Sequence, residues 1–267
     1  MRLRAALPLL AAFFLVGAVS LRHLAASPAS NPPAQMQPVI VELFTSEGCS
    51  DCPPADTLLK RLAEEQPVDG AEIIPLEEHV DYWNHQGWTD PFSSADFTLR
   101  QNEYAADIPK SSVYTPQMIV DGRVQFIGSR GREALEQIRA AAIQPKARLL
   151  LRLAPGAKAH TYNVEMRLDP DSAAPNASSL DFYLAVTEKG LHSNPNAGEN
   201  SGAALIHGPV VRQLHKLHSI KFPLAAPVTN TLNLKDNWNT SNLTVVAFLV
   251  NPKTHQVQAA GDTVLPN

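Results

Sequence analysis

PVIVELFTSEGCSDCPPAD, residues 38–56, holds both cysteines of a 267-residue chain, three positions apart and followed at once by two prolines. Pro38 to Phe44 is a continuous β-branched and aromatic run, the composition of a strand buried on both faces. Turn residues take over at Thr45 to Gly48. Pro53 and Pro54 suit the first turn of a helix, where a missing amide hydrogen is harmless, and Leu58, Leu59, Leu62 and Ala63 recur at helical spacing. The cysteines therefore sit at a strand-to-helix junction. The positive end of a helix dipole favours an anion, so Cys49, just outside the helix, is expected to be the exposed nucleophile. Cys52, one turn in, is expected to be the shielded thiol that resolves a mixed disulfide. Glu47 and Asp51 bring carboxylates close to the pair, and like charge opposes a second anion.

Working outward, residues 71–76 and then His79-Val80-Asp81 read as a second strand, followed by a helix over 95–106. Residues 113–122 form a proline-led apolar strand that ends in an Asp-Gly turn, with residues 124–128 paired behind it. A helix over 132–143 closes this part. Beyond Pro145 the period changes to two: Ala147, Leu149, Leu151 and Leu153 alternate with polar positions, as do Tyr162, Val164, Met166 and Leu168, and Leu180, Phe182, Leu184 and Val186. Residues 243–250 and 257–264 add two more strands, which suggests a small β-sandwich.

The N-terminus carries Arg2 and Arg4 ahead of an apolar run from Ala5 to Val19, with small residues at Ala18-Val19-Ser20. That is the pattern of an export signal over 1–20, followed by a flexible, Ala/Ser/Pro/Asn-rich leader over 21–37. Removing the signal takes away two arginines and moves the formal charge from −4 to −6. An acidic mature chain argues against nucleic acid, and a membrane is engaged only through an uncleaved signal segment.

The order strand, CxxC, helix, strand, helix, proline-led strand, hairpin, helix resembles the thioredoxin superfamily, with Thr115-Pro116 in the place of that fold's active-site cis-proline. More narrowly, VELFTSEGCSDCPPAD, HVDYWNHQGWTDPF, YTPQMIVDG and GENSGAALIHGPVVRQL resemble a family of exported bacterial thioredoxin-like proteins, domain of unknown function 1223. The resemblance implies export and an α/β thioredoxin-like domain over 38–145, ahead of the smaller antiparallel β-sandwich-like domain read over 146–267. It implies no particular substrate. Gly48 departs from the thioredoxin pattern, which has a tryptophan before the first cysteine.

The function this supports is thiol–disulfide exchange with protein or small-molecule thiols and disulfides, with Cys49 and Cys52 as catalytic residues and no cofactor. Thr115, Pro116, Tyr82 and Trp83 are candidates for substrate binding, and His79 with Asp81 for proton transfer. The alternative is a copper or other soft-metal carrier on the two cysteines with His79 or His85. His192, His207, His215 and His218 fall in one stretch, but without an accompanying Asp or Cys cluster, so no metal site is expected there.

Overall fold

The computed structural model describes residues 36–108, 111–224 and 226–266, within one compact unit spanning Gln35–Asn267. The signal read at 1–20 and the leader up to residue 35 lie outside the described residues. Among the described residues, no helix is long and apolar enough to cross a membrane.

The chain runs β1 (Gln37–Thr45), α1 (Pro53–Glu65), β2 (Ala71–His79), α2 (Ala95–Asp107), β3 (Gln117–Val120), β4 (Val124–Ile127) and α3 (Gly131–Ala142). Then follow β5 (Ala147–Pro155), β6 (Thr161–Leu168), β7 (Ser179–Glu188), β8 (His192–Ser193) and β9 (Leu205–Ile206). The last strands are β10 (Val210–Lys221), β11 (Val228–Asn233), β12 (Leu243–Val250) and β13 (Val257–Val264).

β1 is buried on both faces, as its composition requires. Val39, Val41 and Leu43 pack against Ala55, Leu59 and Leu62 of α1 and Ala134 and Ile138 of α3. Ile40 turns to the other face, where it joins Phe97 of α2 with Tyr183 and Phe248. β7 and β12 are likewise two-sided: Leu180, Phe182, Leu184 and Val186 face one core with Val245, Ala247 and Leu249, while Val246, Phe248 and Val250 face the other. Strands that bury both faces read as near-continuous apolar runs.

The expected fold class, a thioredoxin-like α/β domain followed by a smaller antiparallel β-sandwich-like domain, is not the one the chain adopts. Eleven strands join one mixed sheet in the order β11-β6-β5-β13-β12-β7-β10-β2-β1-β3-β4, with three α-helices among the described residues. β8 and β9 pair with each other. The sheet is continuous because of β10, which pairs antiparallel with β7 along its length and meets β2 in parallel at Val210 and Glu77. Glu77 N–H also donates to Pro209 O at 3.1 Å. β10 is hidden in the sequence, since its apolar residues Val211, Leu214, Leu217 and Ile220 recur every third position. Two register shifts, between Val211 and Gln213 and between Lys216 and Ser219, produce that spacing. A bulge inserts an extra residue and breaks the period of two.

Arg100 of α2 ties the two halves of the sheet together from one face. Its Nε donates to Glu42 Oε1 of β1, and its guanidinium lies 4.6 Å from the ring of Tyr183 in β7 and 5.2 Å from that of Phe248 in β12. Glu78 approaches to 3.7 Å. Burial, with the charge of Glu42, pushes the Glu78 carboxyl well above its ordinary range. Arg100→Met is expected to lower the unfolding free energy by about 3–5 kcal/mol, because it leaves the buried carboxyl groups of Glu42 and Glu78 without their cationic partner. Lys60→Ala, which breaks the exposed Lys60–Glu64 pair, is expected to cost less than about 1 kcal/mol. Urea denaturation of both variants checks the contrast.

Candidate functional site

Cys49 and Cys52 are joined as a disulfide, with Cα atoms 5.4 Å apart, in the turn between β1 and α1. The turn is closed by Cys49 N–H to Ser46 O and Cys52 N–H to Cys49 O, both 3.2 Å. Both sulfurs are covered: Cys49 is 2% exposed and Cys52 0%. The expectation of an exposed Cys49 is therefore corrected; Ser50 and Asp51 form the exposed tip of the turn. The helix-end amides expected to hold a thiolate are also fewer than the position suggests. Pro53 and Pro54 have none to offer, and the amides of Ala55 and Asp56 donate to Cys52 O.

The side chains that bind the cysteine turn come from far along the chain. Glu199 Oε2 accepts from Ser50 N–H at 2.9 Å and from Ser50 Oγ at 2.7 Å, which holds its carboxyl below the usual range. Asn200 Nδ2 donates to Glu47 O and Cys49 O, each at 2.9 Å. These residues belong to a strap between β8 and β9 that crosses the cysteine turn. Gly198 and Gly202, with φ of 77° and 80°, make its left-handed turns.

Trp83 also adjoins the turn, at Gly48. Its Nε1 donates to Thr115 Oγ1 at 2.8 Å. A side chain on Gly48 would come within 2.9 Å of Trp83 Cβ, so the glycine before Cys49 is what lets this tryptophan close on the turn. The Thr115–Pro116 bond is cis. Pro116 lies beside the first turn of α1: a Cβ at Gly128 would touch Ala55 Cβ at 3.1 Å and Pro116 Cβ at 3.2 Å. The structure thus gathers Cys49, Cys52, Trp83, Thr115 and Pro116. Tyr82 stays beside them, its hydroxyl bonded to Gln101 Oε1 at 3.1 Å and its pKa pushed up to about 12 by burial.

His79 and Asp81 are not brought together. Asp81 Oδ1 accepts from Thr98 Oγ1 of α2 at 2.6 Å, whereas His79 turns into a buried ionic cluster. There His79 Nδ1 meets Asp90 Oδ2 at 2.7 Å and its Nε2 meets Glu77 Oε1 at 3.1 Å. The same Glu77 oxygen lies 3.2 Å from His207 Nδ1, and His207 Nε2 lies 3.2 Å from Glu47 Oε1. Glu77 Oε2 accepts from Gly208 N–H, and Glu47 Oε2 accepts from Trp88 Nε1 at 2.7 Å. Against the cost of burial, the carboxylates of Asp90 and Glu77 hold His79 well above its ordinary pKa. Glu47 and Glu77 do the same for His207, to about 9.

Asp56 borders this cluster. It stands one helical turn beyond Cys52, on the same face of α1, and accepts from Thr45 Oγ1 at 2.6 Å. Burial, reinforced by the charge of Glu77, raises its pKa from 3.8 to about 8. Asp56 therefore carries a proton at neutral pH. It was detectable in the sequence as a charged residue interrupting the buried stripe of Ala55, Leu59 and Leu62. Asp90, Glu199 and Asn200 sit in polar stretches that give no such signal. Both nitrogens of His79 are engaged by carboxylates, and His85 Nδ1 is engaged by Tyr82 O at 2.8 Å.

Two solved structures share this architecture. The crystal structure of protein AGR_C_4864 from Agrobacterium tumefaciens superposes with a TM-score of 0.60 at 22% identity, covering 87% of this chain and 99% of that one. HBP35 of Porphyromonas gingivalis gives 0.61 at 17% identity, covering 88% and 77%. At these identities the likeness is one of fold. No curated protein matches the chain. The match over residues 40–250 is to the family described as protein of unknown function (DUF1223), and the chain belongs to that family.

Proposed function

We propose that this protein is an exported thiol–disulfide oxidoreductase acting through Cys49 and Cys52. The observation that carries the reading is the paired cysteine turn with the proton-bearing Asp56 one helical turn behind it. Trp83 and Thr115-Pro116 flank the turn and supply a wall for an extended peptide or a small thiol. A persistent disulfide fits an oxidising compartment, which agrees with the signal-like N-terminal sequence.

The reaction runs from the oxidised form. A substrate thiolate attacks Cys49 Sγ, forming a mixed disulfide; the Cys49–Cys52 bond breaks, and its electron pair goes to Cys52 Sγ. Asp56 gives its proton to that leaving sulfur. A second substrate thiolate then attacks the substrate sulfur of the mixed disulfide, and Cys49 leaves as thiolate. The substrate departs with a disulfide, oxidised by two electrons, and the protein holds the two electrons as a Cys52 thiol and a Cys49 thiolate, which takes its proton from solvent. In the reverse direction Asp56, as carboxylate, takes the Cys52 proton. Because Cys49 is covered, the strap must lift before the first attack.

Three outcomes follow. Cys52→Ser is expected to trap mixed disulfides when its Cys49 thiolate attacks disulfide-bearing partners, releasing the partner's second sulfur as thiolate, while Cys49→Ser traps none; non-reducing gels read this, and the opposite pattern reverses the two roles. Asn200→Ala removes two hydrogen bonds from the strap and is expected to speed reduction by dithiothreitol roughly 10-fold.

Asp56→Asn is expected to slow exchange by about 10²-fold through loss of the proton donor. Its stability carries a second signature. Asp56 keeps its proton in the folded state up to about pH 8 but loses it near 3.8 when unfolded, so the folded state binds the extra proton between those values. Wild type therefore loses stability relative to Asp56→Asn as pH rises from 4 to 8, and the two converge below pH 4. Urea midpoints across that range test the sign.

A further inference from the structure

The ionic cluster beneath the strap has a geometry that thiol exchange does not use. Glu77 Oε1 stands 3.1 Å from His79 Nε2 and 3.2 Å from His207 Nδ1, and the donor atoms of the three residues all lie within 4.8 Å of one another. Two ligands held at about 2.0–2.2 Å by one ion, roughly 90–110° apart, are separated by about 2.9–3.5 Å. The two measured edges fall in that range, and the third shortens as the imidazoles close on an ion.

Two further features point the same way. His207 Nδ1 is buried and has no hydrogen-bond partner among the described residues: it faces Glu77 Oε1 at contact distance but off the line a hydrogen bond needs. Each imidazole is also backed at its far nitrogen by a carboxylate, Asp90 at 2.7 Å behind His79 and Glu47 at 3.2 Å behind His207, with Ser193 Oγ at 3.1 Å beside the latter. Carboxylates in that position fix the tautomer and ring direction of metal-binding histidines. The second oxygen of Glu77 is held aside by Gly208 N–H. A side chain at 208 would come within 2.5 Å of that oxygen, so the glycine permits the approach.

We infer that Glu77, His79 and His207 form a binding site for a divalent transition-metal ion such as Zn²⁺. Two imidazoles and one carboxylate are a donor set that suits such an ion, with no sulfur required. The three side chains are closed from solvent, and a cleft of about 520 Å³ lined by Lys60, Gln66, Thr187 and Asn242 reaches His207. His207 immediately follows β9, at the end of the strap that covers Cys49. A bound ion would therefore pin the strap to β2 and hold the cysteine turn shut.

The test uses oxidised full-length protein freed of metal by a chelator, so that the paired cysteines cannot serve as ligands. Zn²⁺ is titrated by calorimetry into wild type, Glu77→Gln, His207→Gln and the Cys49→Ser/Cys52→Ser double variant. The expected result is one equivalent bound by wild type and by the cysteine-free protein, with at least 100-fold weaker binding in the other two. Co²⁺ loading of wild type provides a readout independent of how the variants fold: visible d–d bands without a thiolate charge-transfer band identify imidazole and carboxylate ligands. No Zn²⁺ binding by folded wild type overturns the inference. So does binding that survives Glu77→Gln and His207→Gln, or that vanishes with the cysteines. The cysteine-free variant separates this site from the thiol reading, since each can fail without the other.

Discussion

Glu77 is the residue on which the rest of the structure turns. Its backbone N–H donates to Pro209 O at the one point where β10 meets β2, and its carboxylate accepts from Gly208 N–H next door. A buried carboxylate is costly unless it is paired and hydrogen-bonded. Here the pairing comes from His79 and His207, so the contact that fuses the two halves of the sheet also assembles the ionic cluster. Removing the strand junction would remove the chemistry with it, because His207 reaches Glu77 only when β10 is in register.

The cysteine turn is built for closure. Trp83 closes on Gly48, Asn200 holds the carbonyls of Glu47 and Cys49, and Glu199 holds the amide and hydroxyl of Ser50. These are polar contacts in a segment whose apolar anchor is Leu205, and segments with little buried apolar surface open at lower free energy than core strands. The sheet beneath is different. β1, β7 and β12 bury both faces, and Arg100 locks them with a charge-assisted contact and two aromatic rings. The molecule thus combines a rigid platform with a cover held by a few hydrogen bonds, an arrangement suited to admitting a thiol on demand.

The paired chemistry of the turn also differs from a simple helix-dipole picture. Two prolines strip the first turn of α1 of amides, and the carboxylates of Glu47 and Asp51 stand close by in sequence. The nearby ionisable group that does hold a proton is Asp56, whose burial raises its pKa to about 8.

The sequence by itself determined the local elements and the placing of the two cysteines in one turn. Apolar periodicity placed β1, α1, β5 to β7, β12 and β13, and proline and glycine punctuation placed the cysteines at a strand-to-helix junction. Those signals are local, arising from which face of one segment meets a core. Apart from the β3–β4 hairpin, which the Asp-Gly turn marked, the strand pairing was not legible, because backbone hydrogen bonds carry no side-chain code, and the bulges of β10 disguised the strand that joins both halves as a pattern of every third residue. The burial of Cys49 and the pairing of His79 with Glu77, Asp90 and His207 rather than Asp81 were likewise decided in three dimensions. A buried charge is placed by the partners that compensate it, and the strap and Asp90 loop that supply them reach the site only through the tertiary fold.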